Sequence, residues 1–498
     1  MKYEVIIVGA GPVGLMLASE LARFGVNACI LERQTEPGIF SKATNLHPRS
    51  LEILEMRGLL GSIIKEGYTM PTGHFSSLPT RLDFTVLDTR SNHVLFIPQT
   101  VTERVLEEEV RSFDVPFHRG VDVVSVQQDE ELVEVVAVGS QGVITFQAEY
   151  VIGADGAGSI VRKQSHIPFD GSDSTMTGAL GDVTLGQPPV GNALIEFNQH
   201  GNAMIIPLPE AKYRIVVADP VCSKYPKEMP VTLEELRSSM QRICGTDFGM
   251  SDPVWMSRFG NATRIARQYR SGRVFLAGDA AHIHFPSGGQ GLNVGMQEAM
   301  NLGWKLAGEI QGWAPDWLLD SYHQERHQVA DSVLRNTEVQ TKLIDFTPAG
   351  LELRKTIAHL LTFPEANRYL AERISALDVL YEQDPEMPTH VLNGTRLPNL
   401  DLYLANGEFT SLYSLLHTGC YVCLLLEDKL PDSVEVPTSA PLRIIQATIA
   451  ARRAGWEDVY AVLIRPDGHV AWALRKYSDA RSELPALLQY GIQRWCSR

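Results

Sequence analysis

Residues 3–8, Tyr-Glu-Val-Ile-Ile-Val, form an apolar run that breaks abruptly at Gly9-Ala10-Gly11-Pro12-Val13-Gly14. An uninterrupted run of this kind suits a parallel strand buried on both faces. The G-x-G-x-x-G spacing then predicts a tight turn and a helix over about 14–24, ended by Gly25. A second strand is expected over 26–31, and Glu32 stands at its end, about 20 residues beyond the glycines. The three segments make a βαβ unit. Gly9, Gly11 and Gly14 permit close approach of backbone to a pyrophosphate, the helix N-terminus faces the phosphates, and Glu32 is placed to take a ribose hydroxyl. The unit implies a Rossmann-like α/β fold and a dinucleotide, but it serves NAD and FAD equally.

Two later stretches carry the same pattern of a buried strand ending in a Gly-Asp turn. Tyr150-Val151-Ile152 runs into Gly153-Ala154-Asp155-Gly156-Ala157-Gly158-Ser159. Taken alone, this reads as readily as an ordinary Asp-Gly turn. The strand expected over 273–277 runs into Gly278-Asp279-Ala280-Ala281-His282, then into Pro286-Ser287-Gly288-Gly289-Gln290-Gly291-Leu292-Asn293 and a helix over about 292–310. A glycine-lined loop lets backbone approach a flat ring closely. The helix N-terminus behind it favours the negative charge that a reduced flavin carries. So many glycines without a ligand would cost chain entropy for nothing. Asp155 and this Asp279–Asn293 loop together are what favour FAD.

At 498 residues the chain is too long for one core. Its dinucleotide domain is discontinuous: 1–71, 97–169 and 262–385. The alternating segments at 193–197 and 213–218 belong to a mixed-sheet substrate domain formed by 72–96 and 170–261. A smaller C-terminal α/β domain fills 386–498. Within the first domain, His47-Pro48-Arg49 opens a helix, and Thr100-x-x-Glu103 reads as a capping box just after Ile97-Pro98-Gln99. The net charge of −15 argues against nucleic acid as a partner. No apolar run is long enough to insert into a membrane, and the N-terminus reads as a strand and not as a signal peptide. The six scattered cysteines point to a reducing, cytoplasmic setting. Cys420 and Cys423 form a C-x-x-C, but inside a buried strand, where side chains three apart face opposite ways. They read as unrelated core thiols. No metal-ligand spacing and no nucleophile elbow is present.

Together the three stretches resemble the FAD-dependent group A aromatic hydroxylases, the fold of para-hydroxybenzoate hydroxylase. The nearer resemblance is to the subfamily that hydroxylates polycyclic aromatic polyketides or inactivates rifamycin-type antibiotics. It is marked by Arg49-Ser50-Leu51-Glu52, Ile97-Pro98-Gln99, Ser321-Tyr322-x-x-Glu325-Arg326 and a C-terminal extension. It covers nearly the whole chain. It implies that the C-terminal domain is thioredoxin-like without redox cysteines.

The resemblance also implies site residues. Gly9, Gly11, Pro12 and Gly14 would cradle the pyrophosphate of FAD, and Glu32, with Arg33, would hold the adenosine ribose. Arg49 and Gln99 would meet the phosphate and ribityl region. Lys42, Val123 and Gly156 join the cofactor set. Asp155 belongs to a motif linked to both FAD and NADPH, and Asp279 would bond the ribityl chain. Pro286, Gly289, Gly291, Leu292 and Asn293 would edge the isoalloxazine, with Pro286 and Gly289 positioning flavin and substrate through their backbone. Lys42 stands where many relatives carry Arg, which turns a two-point contact into one. Gln328 replaces a common proline, so a helix bend there is not expected to be forced. The implied reaction consumes NADPH and O₂ and delivers oxygen to an aromatic ring through a C4a-hydroperoxyflavin, in a monomer or homodimer. His282 and His284 flank the presumed flavin; they read as a proton relay or substrate contact or, the favoured reading, as hydrogen-bonding partners within the loop. Trp304 and Trp313 read as core.

Overall fold

The computed structural model describes residues 1–426, 429–476 and 483–498. Its principal sheet has the expected strand Lys2–Val8 at the centre, with Ala28–Glu32 on one side and Gly142–Gly153 on the other, both parallel to it. Val274–Leu276 pairs in parallel with the far edge of Gly142–Gly153, and Phe117–Arg119 extends the sheet beyond Ala28–Glu32. The two hairpin strands Asp122–Gln128 and Val133–Gly139 continue antiparallel from Gly142–Gly153. The core strands Val5–Val8 and Cys29–Leu31 are almost wholly buried, as continuous apolar runs predict.

This order explains why three stretches far apart in sequence share one site. Val8 lies beside both Leu31 and Gly153, and Gly153 lies beside Leu276. The backbone stitches the ends together: Gly9 N–H donates to Leu31 O at 2.8 Å, Ala154 N–H to Val8 O at 2.9 Å, and Ala277 N–H to Gly153 O at 3.0 Å. All four strands release their chains at the same edge, where the connections leave to opposite sides. Such switch points are where α/β sheets bind ligands.

A second sheet, antiparallel throughout, runs in the order Leu194–Asn198, Gly201–Pro207, Tyr213–Ala218, Thr177–Leu185, Met250–Gly260. Its period-two pattern is clean. Ala203, Ile205, Ile215 and Val217 pack on Leu236, Met240 and Ile243 of the helix Leu233–Cys244, while Met204, Ile206, Arg214 and Val216 face the other way, into a cavity. Segment 72–96 does not share this core. Phe75, Leu78, Leu82 and Phe84 pack instead on Ala358 of the helix Pro348–Leu360, on Leu361 just beyond its end, and on Ala371 and Ile374 of the helix Pro364–Ile374.

The C-terminal sheet has a parallel pair, Tyr421–Leu426 with Leu442–Ile449, flanked by antiparallel strands. Cys420 joins the main core and Cys423 a second core that also holds Trp304, Trp313 and Cys496. The two thiols therefore face different interiors. Burial pushes Cys423 up to about 12, so it is a packed thiol and not a reactive thiolate. Trp313 lies beyond the end of the helix Gly291–Ile310 and not on it.

One local expectation needs correction. Thr100 does not cap a helix. The helix runs Gln99–Ser112 from Pro98, and Glu103 accepts from Gln99 Nε2 at 2.8 Å instead of reaching back to a cap. Pro98 and its fixed φ start the helix one turn position early, and Thr100 Oγ1 pairs with Ser41 Oγ at 3.2 Å. The helix Ser321–Lys342 runs unbroken through Gln328, as the missing proline allows.

Candidate active site

The helix Pro12–Arg23 begins at Gly11 with Pro in its first turn and no side-chain cap. Its first N–H groups therefore want an external acceptor. Gly14 must be glycine because a Cβ there would stand 2.0 Å from Gly9 O. A Cβ at Gly11 would meet nothing within 4 Å, so the protein leaves open space over that peptide. Bare N–H groups beside open space suit a pyrophosphate. Glu32 is already engaged: Oε2 accepts from Ala10 N–H at 2.7 Å and Oε1 from Gln34 N–H at 2.8 Å. It staples the glycine turn. Arg33 is exposed beside it.

The loop 278–290 faces this turn. Asp279 opens onto a cavity, and among the described residues no group hydrogen-bonds its carboxylate. Desolvation by the surrounding protein raises its pKa, while His282 and Lys42 act against that rise. Pro286 starts a short 3₁₀ turn, followed by Gly288 and Gly289, both with positive φ. A Cβ at Gly289 would collide with the Asn45 amide at 2.3 Å. The helix Gly291–Ile310 then starts at Gln290 without a side-chain cap. Gly291 and Leu292 line the cavity beside Asp279. Both unfilled helix N-termini thus point into one space, with an unpartnered carboxylate between them. These residues fit FAD.

The cavity has a volume of about 1480 Å³. That exceeds the roughly 300–1,000 Å³ of a site for one small ligand. One end is walled by Gly11, Lys42, Gln99, Asp279, Pro286 and Gly291. The other is walled by Met70, His74, Phe84, Phe96, Met204 and Val216. Arg214 joins the two ends. It makes a two-point pair with Asp182 at 2.7 and 2.8 Å and reaches the carbonyls of Ser41 and Lys42.

Several expected site residues are placed elsewhere. Arg49 is turned away from the cavity. Its guanidinium is buried against Glu52 Oε2 at 2.9 Å and Asp467 O at 2.7 Å, so it ties the helix Pro48–Met56 to the C-terminal segment. Val123 is buried in the main core. Asn293 spends its side chain within the protein: Oδ1 accepts from His47 N–H at 2.8 Å, and Nδ2 donates to Gly289 O at 2.9 Å. It fixes the shape of the loop from behind. Asp155 Oδ2 accepts from Ile160 and Val161 N–H at 2.7 and 3.3 Å, while Oδ1 is buried without a partner. Its neighbour Gly156 does line the cavity. Gln99 lines it too, with Oε1 accepting from Ala43 N–H at 3.1 Å.

The histidines divide. Burial works against a charge on His282, but Glu298 at 2.9 Å outweighs it and raises the pKa. Glu298 also accepts from Gly278 N–H at 2.7 Å, so this pair holds the Gly-Asp turn, as a loop role predicts. His284, by contrast, has a buried Nε2 without a partner. His47 and His74, which sequence reasoning did not single out as site residues, also line the cavity. Burial pulls His47, His74 and His284 down to about 4, so all three are neutral at physiological pH. No sequence signal marks His47 or Asn45, because their partners lie about 240 residues away, a contact only the fold creates.

The two helix N-termini, the unpartnered Asp279 carboxylate and the cavity beside them are the features of a flavin site. Residues 2–337 match the model of the FAD binding domain family, and residues 390–498 match the aromatic-ring hydroxylase C-terminal family. The chain is 53% identical over 498 residues to "Uncharacterized aromatic compound monooxygenase YhjG" of Bacillus subtilis (strain 168), covering 100% of this chain and 99% of that one. It is 41% identical to a rifampicin monooxygenase of Streptomyces venezuelae, covering 97% and 98% of the two chains. It superposes on the solved structure of the OxyS anhydrotetracycline hydroxylase from Streptomyces rimosus with a TM-score of 0.91, 38% identity and full coverage of both chains. The chain belongs to the FAD-dependent aromatic-ring hydroxylase family and is a flavoprotein monooxygenase. Among the described residues, no helix is long and apolar enough to cross a membrane.

The placement of Asp279 gives a direct expectation. Asp279→Ala should purify largely without flavin, lacking its yellow absorbance, while its melting temperature stays close to that of wild-type apoprotein. Full retention of flavin would remove Asp279 from the cofactor site.

Proposed function

We propose that this protein hydroxylates a polycyclic, polyketide-like aromatic molecule at the expense of NADPH and O₂. The observation that carries the reading is the single cavity running from the two helix N-termini to the apolar face of the antiparallel sheet. It is large enough for a flavin ring and a fused-ring substrate side by side. Bound FAD would supply the redox chemistry, taking electrons from the nicotinamide and activating O₂ for transfer to the ring.

The protein's own residues would hold and orient. Gly9, Gly11, Pro12 and Gly14 leave the N–H groups of the first helix free for the pyrophosphate, Glu32 and Arg33 stand at the adenosine ribose, and Lys42 and Gln99 lie alongside. Asp279 would accept from the ribityl hydroxyls. The N–H groups at Gly291 and Leu292 would stabilise negative charge at the ring edge. Pro286 and Gly289 would space the ring from the substrate through backbone alone. Met204, Ile206, Val216 and Phe84 would exclude water from the opposite face. Segment 386–498, the thioredoxin-like part, would act by packing and not by thiol chemistry.

The test is NADPH loss by purified holoenzyme, with and without a phenolic polycycle. Stimulation by substrate is the expected result, and its absence across a panel of such molecules would contradict the reading. A second reading uses the same chamber to inactivate a rifamycin-type antibiotic. It is favoured by the high similarity to a protein named for rifampicin. Rifampicin itself would then be the best stimulant.

A further inference from the structure

One end of the cavity contains a guanidinium with no counter-ion among the described residues. The short strands Thr72–Gly73 and Leu82–Asp83 pair antiparallel, with Thr72 opposite Asp83 and Gly73 opposite Leu82. Continuing that register puts His74 opposite Arg81, and both line the cavity. The Arg81 backbone is held, since its carbonyl accepts from Asn367 Nδ2 at 2.9 Å. Its side chain is different: among the described residues nothing hydrogen-bonds or ion-pairs the guanidinium. Asp83, two residues on, is occupied by Thr85, whose N–H and Oγ1 both reach Oδ1.

Three arginines buried more deeply than Arg81 are ion-paired, whereas Arg354, which also lines the cavity, hydrogen-bonds only to carbonyls. Arg57 grips Glu20, Arg258 grips Glu235 and Arg214 grips Asp182. A half-buried charge left unpaired is unfavourable unless something completes it. Burial lowers the Arg81 pKa, which marks the same cost. His74 does not supply the missing charge. Its Nδ1 accepts from Ser77 N–H at 3.2 Å, so the neutral ring carries its proton on Nε2 and is a second donor. Met70, Phe84 and Phe96 line the same cavity and offer apolar contact, and Glu196, a carboxylate of the same lining, accepts from Asn198 Nδ2 at 3.1 Å.

We propose that Arg81, assisted by His74, is an anion-recognising subsite for the aromatic substrate, which therefore carries an ionised oxygen function remote from the flavin, either a carboxylate or an acidic phenol or enol. The inference rests on the aromatic reading above and adds to it a charge and an orientation. The anion would anchor one end of the molecule at 74–81 and leave the other ring edge against the Pro286–Gly291 loop.

Binding to the oxidised holoenzyme, read as perturbation of the flavin spectrum, tests this without turnover. Two matched pairs serve as probes: hydroxynaphthoate against naphthol for the carboxylate, and lawsone against its methyl ether for the ionised enol. A charge-assisted contact predicts that at least one anion binds about tenfold more tightly than its neutral partner. The pair that shows the preference identifies the source of the anion. Arg81→Ala should erase that preference and leave the neutral probe unchanged, with flavin content intact. Arg81→Lys should restore part of it. Equal binding of anion and neutral probe in both pairs, or a preference that survives Arg81→Ala, overturns the subsite. If none of the four perturbs the flavin, the aromatic reading falls and the subsite with it.

Discussion

Replacing Gly14 with alanine should give a protein that holds no flavin and unfolds at a markedly lower denaturant concentration. The added methyl would lie 2.0 Å from Gly9 O and 3.4 Å from Ile7 Cγ2. Neither neighbour is a flexible side-chain end. Gly9 is pinned by its own N–H bond to Leu31 O at 2.8 Å, and Ile7 is a fully buried residue of the central strand. Alanine is the better helix former, by about 0.5–1 kcal/mol. Forcing a methyl into a close-packed site costs about 1–3 kcal/mol, and more where backbone must move. The clash wins. Its consequence is specific, because the displaced segment is the helix N-terminus that would face the pyrophosphate. Gly11→Ala makes the control. Its Cβ meets no protein atom, so it should leave the fold intact and weaken only the cofactor. Parallel measurement of flavin content and unfolding midpoint separates the two effects.

The second large effect should come from Glu325→Ala, far from the cavity. Glu325 lies in the Ser321–Lys342 helix and receives both arms of Arg465 at 2.7 and 2.8 Å, Lys305 Nζ at 2.7 Å and Asn301 Nδ2 at 2.6 Å. Arg465 comes from the C-terminal segment, so this cluster joins the two family-defined parts of the chain. Removing the carboxylate leaves buried Lys305 without a counter-ion and Arg465 with Asp467 alone, which costs about 3–5 kcal/mol. Glu325→Gln, which keeps acceptor and shape but not charge, should lose less.

The same group predicts a pH dependence. Burial alone would raise Glu325, but Arg465 and Lys305 overcome it and bring it down from 4.5 to about 2. The unfolded chain then binds the proton more readily, so stability rises with pH across this range. The contribution is complete above about 4.5 and is lost as pH falls towards about 2. The gap in unfolding midpoint between wild type and Glu325→Ala should therefore be widest near neutrality and narrow in acid. A gap independent of pH would mean that packing, not charge, is what Glu325 supplies.

What could be read in the sequence follows from how local each signal is. Gly9–Gly14, Glu32, the Gly278–Asp279 turn and the Gly288–Gly291 loop were legible because a strand end, a glycine and a helix start are neighbours in the chain. The alternating strands at 193–197 and 213–218 were legible for the same reason. Arg49 and Asn293 show the limit. Each sits in a motif, but its direction is decided by a partner from another segment, Asp467 for the one and His47 for the other. Segment 72–96 also has a long-range preference that no local pattern carries, since its apolar residues are drawn to the helices at 348–374. His74 and Arg81 carried no motif. Only the hairpin register brings them together.

The central claim is that the flavin site inserts one atom of O₂ into an aromatic molecule held beside it. Turnover of holoenzyme with NADPH and a substrate that stimulates its oxidation, under isotopically heavy O₂ in ordinary water, tests this most directly. The expected product carries one heavy oxygen on the ring, with NADPH consumed in equal amount. A product without heavy oxygen, or NADPH consumption that yields only hydrogen peroxide with every aromatic offered, would contradict it.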